Sequence, residues 1–442
     1  MSNVTLGLVS FAVLIGLLTL RIPIGVAMAA VGAAGFVYLS GLNPFLAYLK
    51  QTPYEVFANY SLSVIPLFLM MGNFAARSGL SASLYKAANG FLGHYRGGLA
   101  MSSIGACAAF GTICGSSLAT AATMGRVALP EMKRYGYSGA LATGSIAAGG
   151  TLGILIPPSV VLVIYAILTQ QNIAKMFLAA AIPALLAVIG FMIAVRLYLA
   201  ISPQSGPPSE RVPWGERMAR LARVWPVVVI FLAVFVGMNG ENLFGRALFT
   251  PTEGAAIGAF GTGLAALIIG RMRPAEVIAV LKDTAVQTAM IFLILLGADF
   301  YNAFLARTQM PAAMAAWVSD LGLAPVIVLL VLLGLYLLLG CMMDSLSMIL
   351  LTIPIFFPVI MALDFGLTPE HTAIWFGIIV LIVVELGLIT PPVGLNVYII
   401  NGIAKDVPMW ETFKGASVFL AVEIVRVGIL IAFPFLTLAL LW

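Results

Sequence analysis

The sequence predicts an all-α polytopic membrane protein made of two inverted-topology repeats, with about ten spanning helices, two re-entrant hairpins and two broken helices. Three observations predict it. Of 442 residues, 62% are hydrophobic and only 9% are charged, whereas charged residues make up about a quarter of an ordinary soluble domain. The run Gly153-Ile154-Leu155-Ile156-Pro157-Pro158-Ser159 recurs, altered, as Gly387-Leu388-Ile389-Thr390-Pro391-Pro392-Val393. Further anchors repeat at a nearly constant offset of about 230 positions: Pro23-Ile24-Gly25-Val26-Ala27 with Thr252-Glu253-Gly254-Ala255-Ala256, and Gly136-Tyr137-Ser138 with Gly366-Leu367-Thr368. The repeats are placed at 1–201 and 225–442, with a polar linker over 202–224.

In chain order, Val4 to Leu20 is the first span. It lacks the basic region of a signal peptide, and Arg21 follows where a small-residue cleavage site would stand. The first hairpin, about 98–133, carries the tip Phe110-Gly111-Thr112-Ile113-Cys114-Gly115-Ser116-Ser117-Leu118-Ala119-Thr120. Glycines and hydroxyls there let the backbone turn and supply polar groups at membrane depth. The first broken helix, about 139–168, is interrupted at Pro157-Pro158, because proline lacks an amide donor and clashes with the preceding turn. The linker carries Pro203, Pro207, Pro208, Pro213 and four arginines. In the second repeat, Thr250-Pro251-Thr252-Glu253 and Thr368-Pro369-Glu370 read as capped helix starts. The second hairpin, about 324–364, has the tip Gly340-Cys341-Met342-Met343-Asp344-Ser345-Leu346-Ser347. The second broken helix, about 372–402, is interrupted at Pro391-Pro392.

The net charge of +5 lies in connecting segments and serves as a topology signal rather than a nucleic-acid footprint. Arg77, Lys86 and Arg96, then Arg126, Lys133 and Arg134, then Arg211 to Arg223, Arg271, Arg273, Lys282 and the turn near Lys405 are expected in the cytoplasm. Both termini then fall outside. The first hairpin has cytoplasmic ends and the second external ends, so the repeats are inverted. Trp225, Trp317, Trp410 and Trp442 fall near span ends, as interfacial anchors do.

No nucleotide-binding Gly-x-x-x-x-Gly-Lys-Ser/Thr loop is present, so active transport would draw on an ion gradient or a separate ATPase. Cys107, Cys114 and Cys341 lack metal-ligand spacing and read as buried hydrophobes. His94 and His371 also lack partners at such spacing. Paired helix breaks in an apolar chain point to the binding site of a secondary transporter. Sodium prefers oxygen ligands, and these converge if each hairpin tip meets its broken helix. The first cluster would be Gly115, Ser116 and Ser117 with Gly150, Thr151, Pro157 and Ser159. The second would be Gly340, Asp344 and Ser345 with Thr390, Gly394 and Asn396. Of these, Ser117, Ser159 and Asn396, together with Thr120, are expected on the substrate, and the others on sodium. Asp344, an ionisable residue in an apolar hairpin, is a functional candidate by default. Glu385 either binds a proton or cation or anchors the backbone. The helix starts created by the breaks favour a carboxylate. The arginines all read as span-end or loop residues, with Arg307 the nearest candidate for a buried cation.

The chain resembles the large membrane subunit, DctM type, of tripartite ATP-independent periplasmic (TRAP) transporters. The resemblance rests on Gly115-Ser116-Ser117-x-Ala119-Thr120, Pro130-Glu131-Met132-Lys133 and Gly153-x-x-Ile156-Pro157-Pro158-Ser159. Phe249-Thr250-Pro251-Thr252-Glu253 and Glu385-x-Gly387-x-x-Thr390-Pro391-Pro392-x-Gly394-x-Asn396 complete it. It implies an elevator mechanism, with a scaffold domain and a moving transport domain, and sodium-coupled import of organic acids such as dicarboxylates, oxo acids or sialic acids. It also implies a bacterial or archaeal inner membrane, a periplasmic substrate-binding protein and a small four-helix membrane subunit. That subunit is expected to be separate, since the first repeat begins almost at Met1. Gly254 departs from the family, which more often has Ala there. The alternatives are a stand-alone sodium or proton symporter of related fold, an intramembrane hydrolase using Asp344 and Glu385, and a non-transporting scaffold.

Overall fold

Prolines and short polar residues punctuate the apolar chain, and each marks a helix end. Pro251, Pro274, Pro325 and Pro369 open helices, where the missing amide costs nothing. Ser138, Ser159, Asn172 and Thr368 cap the helices that follow them. Thr250 and Glu253 form the reciprocal cap that the sequence indicates, with the Thr250 amide donating to Glu253 at 2.8 Å. The computed structural model describes residues 3–240 and 245–441, among which there is no strand. Trp442, an expected interfacial anchor, lies outside the described residues, whereas Trp225, Trp317 and Trp410 are exposed.

Four single helices are long and apolar enough to cross a bilayer: Ile173–Ile201, Pro274–Thr308, Pro369–Gly387 and Met409–Ala432. Counting each bent pair as one span raises this to as many as seven among the described residues. About ten crossings were to be expected, and the difference lies in segment length. Asn3–Thr19 and Ile24–Ser40 have 17 residues each, a rise of about 25 Å, at the lower limit for spanning. The linker contains a helix, Trp214–Ala222.

The two hairpins and two broken helices have defined bounds. Gly98–Cys114 turns through Gly115 and Ser116 into Ser117–Arg134. Pro325–Gly340 turns into Ser345–Met361. Gly139–Leu155 and Val160–Leu168 meet at 45° across Pro157-Pro158, and Pro369–Gly387 is separated from Leu395–Ile403 by Pro391-Pro392. Both Pro-Pro bonds are cis. Gly139–Leu155 and Pro369–Gly387 are buried along almost their whole length, and helices apolar on every side belong in a core. The hairpins, Ile173–Ile201 and Met409–Ala432 pack around them.

A second set of helices crosses between the halves. Ile24–Ser40 runs along Pro274–Thr308, and its counterpart Pro251–Ile268 runs along Val64–Arg77. Small residues make the approach possible: a Cβ on Gly32 would lie 2.5 Å from the Tyr301 amide nitrogen, and one on Gly25 would lie 3.0 Å from that of Ile294. At Gly254 a Cβ would come within 2.7 Å of Met238 Cγ, so packing accounts for the glycine. Arg77–Asp283 and Lys133–Asp406 tie segments expected on the cytoplasmic side, and Lys175–Glu370 joins the starts of two helices.

Candidate functional site

Each hairpin tip packs against the break in its own half. Gly115 has φ +62°, and a Cβ there would sit 3.1 Å from the Pro158 carbonyl oxygen. A Cβ on Gly153 would meet Thr120 Oγ1, with the Ser116 carbonyl oxygen 2.7 Å away. In the second half a Cβ on Gly340 would lie 3.1 Å from the Val384 carbonyl oxygen. Gly394, at φ +58°, donates its amide to the Cys341 carbonyl at 3.4 Å.

Contacts between the halves go further. Glu385, 3% exposed, accepts the Ser345 hydroxyl on Oε1 at 2.6 Å and the Ser117 hydroxyl on Oε2. One buried carboxyl group therefore joins both hairpin tips, and two hydrogen bonds offset its removal from water. Asn396 crosses in the opposite sense, donating to the Ala147 carbonyl at 3.2 Å beside Gly150. Among the described residues, Asn396 Oδ1 and Thr120 Oγ1 are buried with no hydrogen-bond partner. Such orphaned oxygens fit a ligand that brings a positive charge or a donor.

The remaining candidates have local partners. Ser116 and Ser159 cap the helices that follow them, accepting the Ala119 and Leu162 amides. Thr151 and Thr390 turn their hydroxyls back to Ala148 and Leu386, each at 2.6 Å. Pro157 supplies the break itself. Asp344, read from sequence as a lone carboxylate, caps Ser345–Met361 through the Ser347 amide at 3.1 Å and the Ser347 hydroxyl at 2.6 Å. Its charge still reaches a cavity.

That cavity, of about 540 Å³, lies between the two hairpin tips and the crossing helices. Ser116, Asp344 and Ser347 line it from the tips, and Asn73 and Gln287 from the facing wall. Two larger clefts, of about 730 and 950 Å³, touch neither tip. The helices starting at Ser117 and Ser345 both begin at the 540 Å³ cavity, so the positive dipole ends and the amides that the Ser116 and Asp344 caps leave over favour an anionic group there.

The expectation that no arginine is buried is overturned. Arg426, 6% exposed, pairs with Glu423 one turn earlier and donates to the Pro183 carbonyl at 2.8 Å. The signal was the Glu423-x-x-Arg426 spacing, which puts both groups on one helix face. Together with Thr151 and Glu385 they line a small enclosed void. Arg307 is a helix-end anchor, bonded to Ser40 and lying over Phe36. All three cysteines are buried and free, and no cluster of metal-binding side chains occurs among the described residues.

Hairpin tips, helix breaks and a largely apolar cavity with a few polar groups at the tips, all inside an apolar helical protein, define a polytopic membrane transporter. The fold agrees: the YdaH transporter of Alcanivorax borkumensis superposes with a TM-score of 0.64 at 17% identity, covering 89% of this chain and 90% of that one. The model of the tripartite ATP-independent periplasmic transporter DctM component matches residues 11–436, and the chain belongs to that family. A C4-dicarboxylate TRAP transporter large permease protein of Pseudomonas aeruginosa is 36% identical, over 88% of this chain and 87% of its own length. A sialic acid TRAP transporter large permease protein of Vibrio cholerae is 28% identical, over 96% of each. The chain is thus a transporter subunit rather than an intramembrane hydrolase.

Proposed function

We propose that this chain imports organic acids across the bacterial inner membrane by sodium-coupled elevator movement. It would take substrate from a periplasmic binding protein and work with a small four-helix membrane subunit. The supporting observation is the Glu385 carboxylate, which ties Ser117 and Ser345 into one body facing the 540 Å³ cavity. That body is the transport domain, and the helices crossing between the halves are the scaffold.

The substrate's carboxylate lies at the helix starts behind Ser116 and Asp344. A charged Asp344 beside an anion calls for a cation, and sodium between tip and break supplies it. Gly115, Gly150, Pro157, Gly340, Thr390 and Gly394 offer the backbone oxygens for this. The names of the relatives support dicarboxylates and sialic acids as the substrate classes to try first.

Labelled organic-acid uptake into proteoliposomes holding the chain and its small subunit tests this, with binding protein and an inward sodium gradient each added or withheld. Uptake is expected to need both. Uptake with sodium alone would instead make the chain a stand-alone symporter.

A further inference from the structure

Helix Trp225–Met238 does not lie flush against the first hairpin. Between them runs a groove of about 460 Å³, walled by Val224, Val228 and Leu232 on one side and by Phe91, Gly105 and Ala109 on the other. No charged side chain lines it. Its one hydroxyl, on Thr112, turns back to the Ala109 carbonyl at 2.7 Å. A Cβ on Gly105 would meet only Met192 Cε, at 4.0 Å, so the groove is open at that point rather than packed.

The linker helix Trp214–Ala222 closes one end through Leu221. Trp214, Met218, Leu221 and Trp225 are all exposed at helical spacing, the pattern of a helix lying in the membrane interface. Arg217 is occupied, donating to the Val212 carbonyl and lying over Trp214, and Arg220 is paired with Glu216. Arg223, between the groove-lining Leu221 and Val224, is exposed and makes no ion pair among the described residues.

We propose that this groove holds an acyl chain of an anionic phospholipid whose phosphate lies against Arg223. Lipid tails are as apolar as the groove walls, so the tail contributes shape but no choice of lipid. Selection rests on charge, and a basic residue at the membrane surface attracts anionic headgroups. The lipid fills the space between helix Trp225–Met238 and the first hairpin.

The test is native mass spectrometry of the chain, purified with any co-purifying subunit from membranes containing phosphatidylethanolamine and phosphatidylglycerol. Wild type is expected to retain phosphatidylglycerol. Gly105→Phe, which fills the groove where there is room, lowers retention several-fold. Arg223→Gln, at an exposed position, keeps a lipid but loses the preference for phosphatidylglycerol. Equal retention in wild type and Gly105→Phe overturns the proposal, as does an Arg223→Gln variant with unchanged preference. A crosslink from Gly105→Cys to a protein subunit would also overturn it, because a helix would then occupy the groove.

Discussion

Ser345 and Glu385, 40 residues apart in the chain, are joined by a 2.6 Å hydrogen bond inside the protein. The other oxygen of the same carboxylate takes Ser117, 268 residues away. The two hairpin tips thereby share one acceptor.

Glu385→Ala leaves two buried hydroxyls without their acceptor, at about 1–3 kcal/mol each. Uptake is expected to fall to background and Tm to drop. Glu385→Gln can accept one serine hydroxyl and donate to the other, so it keeps the bridge and measurable uptake. Wild-type uptake by the Ala variant would show that the bridge is dispensable.

Asp344 combines a cap with a charge, and two substitutions separate them. Asn caps as well as Asp, so Asp344→Asn should keep Tm while raising the sodium concentration needed for half-maximal uptake. Asp344→Ala should also lose about 1 kcal/mol of stability. An unchanged sodium dependence in the Asn variant would reduce Asp344 to a cap.

Arg426→Met strands the buried Glu423 carboxylate, at a cost of about 3–5 kcal/mol. Thermal unfolding in detergent should show a large loss. The double variant Arg426→Met with Glu423→Gln should recover most of it. Equal losses in the single and double variants would mean that the pair is not the source.

Lys133 beside Asp406 holds that carboxyl below its usual range by hydrogen bond and charge. A depressed carboxyl stabilises the folded chain above its unfolded pKa, and the contribution disappears as pH falls through the folded one. The Tm gap between wild type and Lys133→Ala should therefore be present near neutral pH and close below about pH 4. A gap that widens in acid would contradict this.

Charge movement should report substrate class. One charge crossing ~100 mV is worth about 2.3 kcal/mol, and each tenfold gradient about 1.4 kcal/mol. With two sodium ions per cycle, a monocarboxylate carries net positive charge inward and a dicarboxylate carries none. Uptake of a monocarboxylate should accelerate with an inside-negative potential, as read by a voltage-clamped proteoliposome assay. Potential-independent monocarboxylate uptake would exclude that stoichiometry.

The hairpins and breaks were legible because proline and glycine act locally: Pro157, Pro391 and Gly115 determine backbone shape wherever they stand. The capping role of Asp344 was written in its spacing to Ser347 but obscured by the apolar surroundings. Contacts between the halves were not legible. Ser117 belongs by sequence with the first break, yet its hydroxyl serves Glu385 of the second, and Asn396 reaches back to Ala147. Asn73 and Gln287 come to the cavity on helices that carry no motif. Arg426 escaped because its positive charge is cancelled one turn away, a pairing that only the helix face reveals.

The crossed pairing of Ile24–Ser40 with Pro274–Thr308 has a consequence during synthesis. The Gly25 and Gly32 face is made early, and the surface it fits, from Ile294 to Tyr301, emerges only after the rest of the first half, the linker and about a third of the second half have followed. At about 5–20 residues per second, that face waits on the order of ten to fifty seconds. Through that interval it must be covered by lipid or by the insertion machinery, and a ribosome that stalls in the linker releases a half-chain with its notch unfilled.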